Sequence, residues 1–363
     1  MNELPFVPGL ELAASFYRDA VRPILGPGVR HSAALIGSGS EVLGLDDEMS
    51  RDHHWGPRVM LFLEPVELDS KWPDLSSRLA EQLPRSHRGY STNFTPPDPL
   101  DNGTQQMQHS EHGPINHRVE AYSIAGFFTR YLAIDPEAEL DTADWLSLPQ
   151  HKLRAVTAGA VFHDDLGLDV MRTRLSWYPH DVWLYLLACG WRRIAQEEHL
   201  MGRAGLTGDE IGSALIGSRL VRDIMRLAFL MEKRYAPYPK WFGTAFRSLT
   251  SAKALQVPLE EALRARSWGG REKALCKGYR VLAEMHNALG ITAALSEDPT
   301  RFHHRPFNVI HGDRFTEAIL ERIVDPSVKK LHARRIGSID LFSDNTDLLD
   351  NPRLRPGLAA LFD

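Results

Sequence analysis

The chain has 363 residues, and its contents of 43% hydrophobic and 25% charged residues are ordinary for a globular protein. A formal net charge of −5 argues against nonspecific binding to nucleic acid or to an anionic membrane. With only two cysteines, Cys189 and Cys276, neither a disulfide framework nor a cysteine zinc site is expected, and a cytoplasmic location is predicted. Met1–Gly9 lacks a signal-peptide pattern, and the most apolar run, Val182–Cys189, is too short to span a bilayer.

The first part of the chain, residues 1–140, is predicted to be a small mixed α/β domain. Apolar runs and helical spacing alternate here, and Phe94–Pro114, rich in Pro, Asn, Gln and Gly, is predicted to be a long loop. The predicted elements are a helix at Leu10–Leu25, strands at His31–Ile36 and Arg58–Leu63, a helix at Leu75–Leu83, a strand at His117–Ser123 and a helix at Gly126–Ile134.

The remainder of the chain is dominated by helical spacing. Residues 141–295 are predicted to be a helical bundle domain, interrupted by a hairpin or turn at Ala160–Gly167. Residues 296–363 are predicted to be a C-terminal extension packed on the body, with a short strand at Phe307–Ile310 and a loosely attached acidic tail from Gly337 to Asp363. The predicted fold class is therefore α+β, a mixed-sheet domain followed by a mainly helical one. The clearest helices are Trp183–Met201, Gly208–Tyr235, Lys240–Leu249 and Gly270–Leu289.

A Gly/Ser turn follows the first predicted strand and is the most informative motif. The turn, Gly37–Gly44, leads into an acidic stretch, Asp46–Glu48, and then into Ser50–Arg58 at the start of the second strand. Bare amides and a hydroxyl can hold phosphate oxygens, and a carboxylate beside them can hold Mg²⁺. A turn of this kind can also simply reverse the chain, so it is the carboxylate at Asp52 that favours chemistry on a nucleoside triphosphate.

This arrangement resembles the polymerase-β-like nucleotidyltransferase superfamily. That superfamily has a strand, a Gly-Ser turn that opens a helix, an Asp-x-Asp pair at the start of the next strand, and a third carboxylate on a later strand. The resemblance implies that Gly39 and Ser40 hold the triphosphate, that Asp52 binds Mg²⁺, and that Glu120 is the third acidic residue. Two metal ions would then activate the acceptor hydroxyl and stabilise the leaving pyrophosphate.

His54 departs from the superfamily pattern, because it stands where the second carboxylate is expected. Histidine is a poor ligand for Mg²⁺ and a better one for Mn²⁺ or Zn²⁺. His54 can therefore shift the metal preference, act as a base, or mark a site that binds nucleotide without turnover. Asp46–Glu48 are an alternative source of the missing carboxylate. The predicted catalytic and metal-binding residues are Asp52, His54 and Glu120.

The chain as a whole also resembles one uncharacterised bacterial family, a domain of unknown function regarded as nucleotidyltransferase-like. The runs that carry this resemblance are Ser50–Arg58, Gly208–Ser213 and Arg234–Gly243. The resemblance extends over nearly the full length. It implies a fold and a reaction class but no particular acceptor.

In the helical part, two charged features are candidate phosphate contacts. Arg219, Arg222 and Arg226 share one helix face, which is either a solvated basic face or an anion-binding ridge. Lys240, beside Trp241, is either part of an architectural turn or a phosphate contact next to a stacking ring. The predicted nucleotide-binding residues are Gly39, Ser40, Gly44, Arg58, Arg222 and Lys240. The adjacent Glu197 and Glu198 are candidates for the base that deprotonates the acceptor, although solvated charges are the simpler interpretation.

The sequence therefore predicts an enzyme that uses Mg²⁺, or alternatively Mn²⁺, to transfer a nucleoside monophosphate from an NTP to a small-molecule acceptor with release of pyrophosphate. The site is expected in a cleft between the α/β domain and the helical bundle. One alternative is a non-catalytic nucleotide-binding or regulatory protein with a degenerate metal site. Another is an RNA acceptor, against which the acidic charge balance argues. No membrane partner is expected.

Overall fold

The computed structural model describes residues 5–101 and 103–362, and it confirms the α+β class. The chain divides into two compact units, Met1–Glu139 with Lys152–Ser176, and Leu140–His151 with Trp177–Asp363. None of the helices in the described ranges is both long enough and apolar enough to cross a membrane.

The first unit is built on a four-stranded mixed sheet with the order β5-β2-β1-β6. β1 pairs antiparallel with both β2 and β6, and β2 pairs in parallel with β5. The parallel register aligns Arg58 with Arg118 and Met60 with Glu120. The strands of both units, in chain order, are β1 (Ser32–Leu35), β2 (Arg58–Phe62), β3 (Ser86–His87), β4 (Tyr90–Ser91), β5 (Arg118–Tyr122), β6 (Ala160–Asp164), β7 (Thr300–Arg301) and β8 (Asn308–Val309). β3 pairs with β4 and β7 pairs with β8 in two separate two-stranded sheets.

Helices cover most of the remaining described chain, and short 3₁₀ turns link several of them. A π-helical segment, Tyr17–Val21, joins the first two helices into one continuous element. The α-helices are α1 (Gly9–Phe16), α2 (Arg22–Leu25), α3 (Pro65–Gln82), α4 (Ile124–Leu132), α5 (Thr142–Ser147), α6 (Gln150–Thr157), α7 (Leu168–Arg174), α8 (His180–Leu206), α9 (Glu210–Met231), α10 (Phe242–Phe246), α11 (Ala252–Arg264), α12 (Trp268–Ala288), α13 (Gly312–Leu320), α14 (Pro326–Lys329), α15 (Ile339–Phe342), α16 (Thr346–Asp350) and α17 (Arg355–Ala359).

The core of the first unit lies between the sheet and the helices α1 to α3. Phe16 and Val21 pack there with Leu61, Leu79 and Val119, and all five side chains are buried. The sequence predicts only the last half of α3, because its first turns carry few apolar residues. The helix in fact begins at Pro65, where proline is favoured because its missing N–H is not needed in the first turn.

The segment at Ala160–Gly167 was expected to be a hairpin or turn, and this prediction is wrong for its first five residues. Ala160–Asp164 forms β6, an edge strand of the sheet, with a register shift where it passes Ala33 and Ala34. The apolar run Ala160–Phe162 is too short to distinguish a strand from a turn by periodicity. Its pairing with β1, more than a hundred residues earlier in the chain, decides its conformation.

The second unit is a bundle in which α8 and α9 pack on each other, α13 packs on α8, and α12 packs on both α8 and α9. Trp191 of α8 stacks on Phe315 of α13 with ring centroids 4.0 Å apart, and both rings are buried. Leu215 of α9, although apolar, is 59% exposed. The helix turns this residue outwards while Leu220, Ile224 and Leu227 face the bundle.

The acidic tail is not loosely attached. Asp340 accepts the main-chain N–H of Gln150, and Arg355, itself buried, donates to Asp144 at 2.9 Å. Short helices, α15 to α17, carry these contacts. The tail also buries the apolar side chains of Ile339, Leu349 and Phe362, so both charged and apolar contacts attach it. Asp363, at its end, lies outside the described residues.

Candidate functional site

The Gly/Ser turn of the first unit exposes unused hydrogen-bond donors. Ser38 and Gly39 are exposed and Ser40 is half-buried. Within the described ranges, the main-chain N–H groups of residues 38–40 and the two serine hydroxyls donate to no protein acceptor. Gly39 has φ +135°, a value that side-chain-bearing residues rarely adopt. The turn therefore presents several free donors to solvent, as an anion-binding turn requires.

The turn is followed by one 3₁₀ turn, Glu41–Leu43, rather than by the longer helix that the superfamily pattern implies. The carbonyl of Ser40 accepts the N–H groups of Leu43 and Leu45. Gly44 ends the 3₁₀ turn in a left-handed conformation, φ +65°. Gly44 therefore shapes the backbone here, and the free donors lie at residues 38–40.

Arg58 supports the Gly/Ser turn from its buried side. Its side chain is 10% exposed and forms a buried ion pair with Glu41, with Nε donating to Oε1 at 2.7 Å. Nη2 of Arg58 also donates to the carbonyl of Ser38 at 2.6 Å. Because Glu41 balances its charge, Arg58 holds the shape of the turn and offers no uncompensated charge to a phosphate.

Asp52 lies on the segment that enters β2. Asp47 caps a 3₁₀ helix, Glu48–Asp52, in a capping box with Ser50, and this helix delivers Asp52 to its end. The Asp52 carboxylate is exposed and accepts a hydrogen bond from Nδ1 of His53 at 2.6 Å. It is therefore accessible to a ligand from solvent.

His54 has a left-handed backbone, φ +55°, and its N–H donates to the carbonyl of Gln105 in the long loop. Its Nδ1 lies 2.9 Å from Nη1 of Arg118. Since a guanidinium only donates, Nδ1 accepts, and the ring proton of the neutral imidazole lies on Nε2. Burial, and then the charges of Arg118 and Arg58, lower the pKa of His54. The imidazole is therefore neutral at physiological pH.

Glu120 is anchored from two sides on β5. Arg118 donates to its Oε1 and the Tyr122 hydroxyl donates to its Oε2, each at 2.8 Å. Burial alone would raise the pKa of Glu120, but Arg118, Tyr122 and Arg58 outweigh it, so the pKa lies below its ordinary value. Burial and the Glu120 charge raise the pKa of Tyr122 to about 12. Glu120 is therefore an ionised carboxylate.

The parallel pairing of β2 with β5 brings His54 and Glu120 to the same edge of the sheet, with the Arg118 guanidinium bonded to both. The donor atoms of Asp52, His54 and Glu120 do not form a compact three-ligand group. In the described part of the chain, such a group, with all its donor atoms within 4.8 Å of one another, is found only at His31, His163 and Asp165. The sequence predicts both strands but gives no sign of their pairing or of the role of Arg118.

The group at His31 has a structural explanation. Nδ1 of His31 donates to the carbonyl of Val29 at 2.7 Å, and its Nε2 accepts the Tyr17 hydroxyl at 2.8 Å. His163 donates from Nε2 to Asp165 at 2.8 Å. These bonds use both ring nitrogens of His31. Its main chain joins the start of β1 to the end of β6, because its N–H donates to the Asp165 carboxylate at 3.4 Å and its carbonyl accepts the Asp165 N–H at 3.2 Å. In the sequence, this group of side chains is indicated only by the His163-Asp164-Asp165 run at a strand end.

The two nucleotide-binding residues predicted in the helical part belong to the second unit. Arg222 donates to Asp344 at 2.8 Å and lies 3.7 Å from Asp223. Lys240 is exposed, and its ammonium lies 5.0 Å from the centroid of the Trp241 ring, so the predicted cation–aromatic neighbourhood is present.

Glu197 and Glu198 have structural partners. Glu198 accepts the main-chain N–H groups of Ile310, His311 and Gly312, and burial raises its pKa to about 7. It therefore ties the start of α13 to α8. Glu197 accepts hydrogen bonds from Arg193 and Arg219, each at 2.8 Å. Both carboxylates are buried and engaged, which argues against either as the base.

A family model described as a domain of unknown function, DUF4037, matches residues 145–242. This range contains Gly208–Ser213 and all but the last residue of Arg234–Gly243, while Ser50–Arg58 lies outside it. Of the resemblance expected over nearly the full length, a match to a domain of unknown function over this range is therefore supported, and its nucleotidyltransferase-like character stays a prediction. No curated protein and no solved structure matches the chain.

Proposed function

We propose that the protein is a metal-dependent nucleotidyltransferase that transfers a nucleoside monophosphate from an NTP to a small-molecule acceptor. The observation that supports this most is the turn at residues 38–40, with its free amides and hydroxyls, in the same unit as the carboxylates of Asp52 and Glu120. Free donors bind the oxygens of a triphosphate, and carboxylates bind the cation that accompanies it.

Asp52, His54 and Glu120 carry the charge and the kinds of ligand atom that a divalent cation needs. Asp52 and Glu120 supply the oxygen ligands that Mg²⁺ prefers, and His54 supplies a nitrogen that Mn²⁺ accepts more readily. When bound, the cation would neutralise charge on the phosphates and on the leaving pyrophosphate. The Ser38–Ser40 turn would hold the triphosphate, and Arg58 would keep the turn in shape through Glu41 and the Ser38 carbonyl.

A second candidate function, nucleotide binding without transfer, is favoured by Arg118. Its guanidinium bonds to both His54 and Glu120, so a positive charge already neutralises the carboxylate that a metal would use. A protein of this kind would bind NTP with little dependence on Mg²⁺ and release no pyrophosphate.

The test is pyrophosphate release from each of the four NTPs, with Mg²⁺ or Mn²⁺, in a pooled metabolite extract. The key variant is Asp52→Asn, which removes one metal ligand from an exposed position and should leave the fold intact. The matched control is Asp74→Asn, an equally isosteric change at a 77% exposed carboxylate on α3.

Release that needs a metal and one NTP, and that is lost in Asp52→Asn but kept in Asp74→Asn, would support transfer. Full activity in Asp52→Asn would overturn the polymerase-like assignment. NTP binding without pyrophosphate release, at equal affinity with and without metal, would support the second candidate.

A further inference from the structure

The second unit contains an arginine-lined cavity of about 510 Å³. Its walls come from α8, from α9 and from the segment after α14, and the acidic residue in the wall is Asp344. The volume is typical of a small-molecule site. The arginines that line it are Arg192, Arg193, Arg222, Arg226, Arg334 and Arg335.

The charges of these arginines are only partly balanced by hydrogen-bonded carboxylates. Four of them have a carboxylate partner: Arg192 pairs with Asp313, Arg193 with Glu197, Arg222 with Asp344 and Arg335 with Glu317. Arg226 and Arg334 instead donate to the main-chain carbonyls of Asp340 and Leu361. Among the described residues, neither forms an ion pair with a carboxylate. The buried Asp223 lies 3.6 Å from Arg193 and 3.7 Å from Arg222, but the lining itself contains six arginines against Asp344, so the wall of the cavity is mainly positive.

Most of the guanidinium donors in the cavity are unused. A guanidinium has five N–H donors, and Arg192, Arg222, Arg226 and Arg334 each make one hydrogen bond to the described residues. Burial, and then the neighbouring Arg222, lower the pKa of Arg226. An anion in the cavity would satisfy donors and relieve this crowding of like charges.

A second, mainly apolar chamber of about 180 Å³ adjoins the first. Arg222, Arg226, Leu341 and Asp344 line both, so the two spaces meet at these side chains. The other walls of the chamber are largely apolar. They include Leu186, Leu230, Ala236, Pro237, Pro239 and Phe242.

We propose that this composite cavity binds a small molecule that carries a phosphate or short polyphosphate on an apolar or ring-containing body. The arginines would hold the phosphate, because guanidinium groups match phosphate oxygens in geometry and charge. The chamber at Phe242 would hold the body. The concave, bounded shape and the acidic net charge of the chain favour a small phosphate ester over a nucleic acid. The inference concerns binding by the second unit and does not depend on the transfer reaction.

The experiment is calorimetric titration of the full chain with inorganic phosphate and with phenyl phosphate. We expect phenyl phosphate to bind at least tenfold more tightly than inorganic phosphate, and Phe242→Ala to remove most of that difference. The double substitution Arg192→Gln with Arg334→Gln should weaken phenyl phosphate binding at least tenfold. The control is Arg264→Gln, which removes one arginine charge from a 79% exposed side chain on α11 and should change the affinity less than twofold.

Circular dichroism and thermal melting show whether each variant is folded. If the double variant does not fold, Arg334→Lys replaces it, because the lysine keeps the charge and loses the planar donor set; it should weaken binding severalfold. Asp52→Asn should leave phenyl phosphate binding unchanged, which separates this site from the NTP site proposed in the first unit. The proposal is overturned if no saturable binding occurs, if Arg264→Gln weakens binding as much as the cavity variants do, or if those variants bind phenyl phosphate as tightly as the parent does.

Discussion

Arg58 and Glu41 form a buried ion pair directly beneath the exposed Gly/Ser turn. Their side chains are 10% and 5% exposed, and Arg58 also holds the Ser38 carbonyl. Neither residue is in the turn that would meet a phosphate. The shape of the turn nevertheless depends on them, because together they fix the carbonyl on one side of Gly39 and the start of the 3₁₀ turn on the other.

The Glu41→Gln substitution should destabilise the first unit by about 3–5 kcal/mol, because it leaves the Arg58 charge buried without its partner. Urea denaturation followed by circular dichroism measures this. Asp19→Asn, which breaks an exposed pair with Arg18, is the control and should have a much smaller effect, because solvent screens the pair. Equal and small effects in the two variants would show that the buried pair does not support the turn.

Gly39→Ala should weaken NTP binding at least tenfold. A Cβ at this position would collide with the Arg58 and Glu41 side chains, and φ +135° is strained for alanine. Equilibrium binding of a fluorescent NTP analogue measures the change. Gly28→Ala is the matched control, because a Cβ there meets no atom within 4 Å, and it should bind NTP as the parent does. Unchanged binding in Gly39→Ala would remove the turn from the nucleotide site.

His54→Asp should tighten Mg²⁺ binding about tenfold, since it restores a hard oxygen ligand at the position where the superfamily pattern has one. Calorimetry with Mg²⁺, in the presence of a non-hydrolysable NTP analogue, measures this. His109→Asp makes the same substitution at an 82% exposed side chain in the long loop and should have little effect. If His54→Asp leaves Mg²⁺ affinity unchanged, the Arg118 guanidinium neutralises the new carboxylate, and the non-catalytic function gains support.

Glu198→Gln should flatten the pH dependence of stability between pH 4.5 and 7. Burial raises the pKa of Glu198 to about 7 in the folded chain, from an ordinary value of 4.5. The folded state therefore holds this proton more tightly than the unfolded state, and stability is lost as pH rises through this window, by about 3 kcal/mol in total.

The measurement for Glu198 is the free energy of unfolding of the second unit at several pH values, as the difference between parent and variant. Glu284→Gln, at an exposed carboxylate on α12, is the control and should leave the parent slope unchanged. A parent slope that survives in Glu198→Gln would place the titrating group elsewhere.

Elements with a strong local signal were predicted well. The apolar runs at β1 and β2 and the long periodic stripes of α8, α9 and α12 give the right class of structure within a few residues. These segments bury whole faces, so their hydrophobic period alone identifies them. By contrast, β6 and the first turns of α3 carry little periodicity, and only their packing partners explain their conformation.

The candidate site also combines residues that the sequence identifies with residues that only the structure identifies. Residues close in sequence, such as Gly39, Ser40 and Asp52, could be named from the order of strand, turn and carboxylate. Arg118 could not, because its bonds to His54 and Glu120 depend on the parallel register of β5 with β2. The predicted roles of these residues in catalysis and metal binding remain predictions.

By itself, the sequence determined the fold class, the position of the Gly/Ser turn and the helices with long apolar faces, because these features follow from spacing along the chain. Only the tertiary structure decided that Arg58 is paired beneath the turn, that Arg118 lies between His54 and Glu120, and that arginines from three separate segments line one cavity. These arrangements join residues that are distant in sequence. Their energies depend on burial and on the partner that each charge finds, and neither quantity can be read from local spacing.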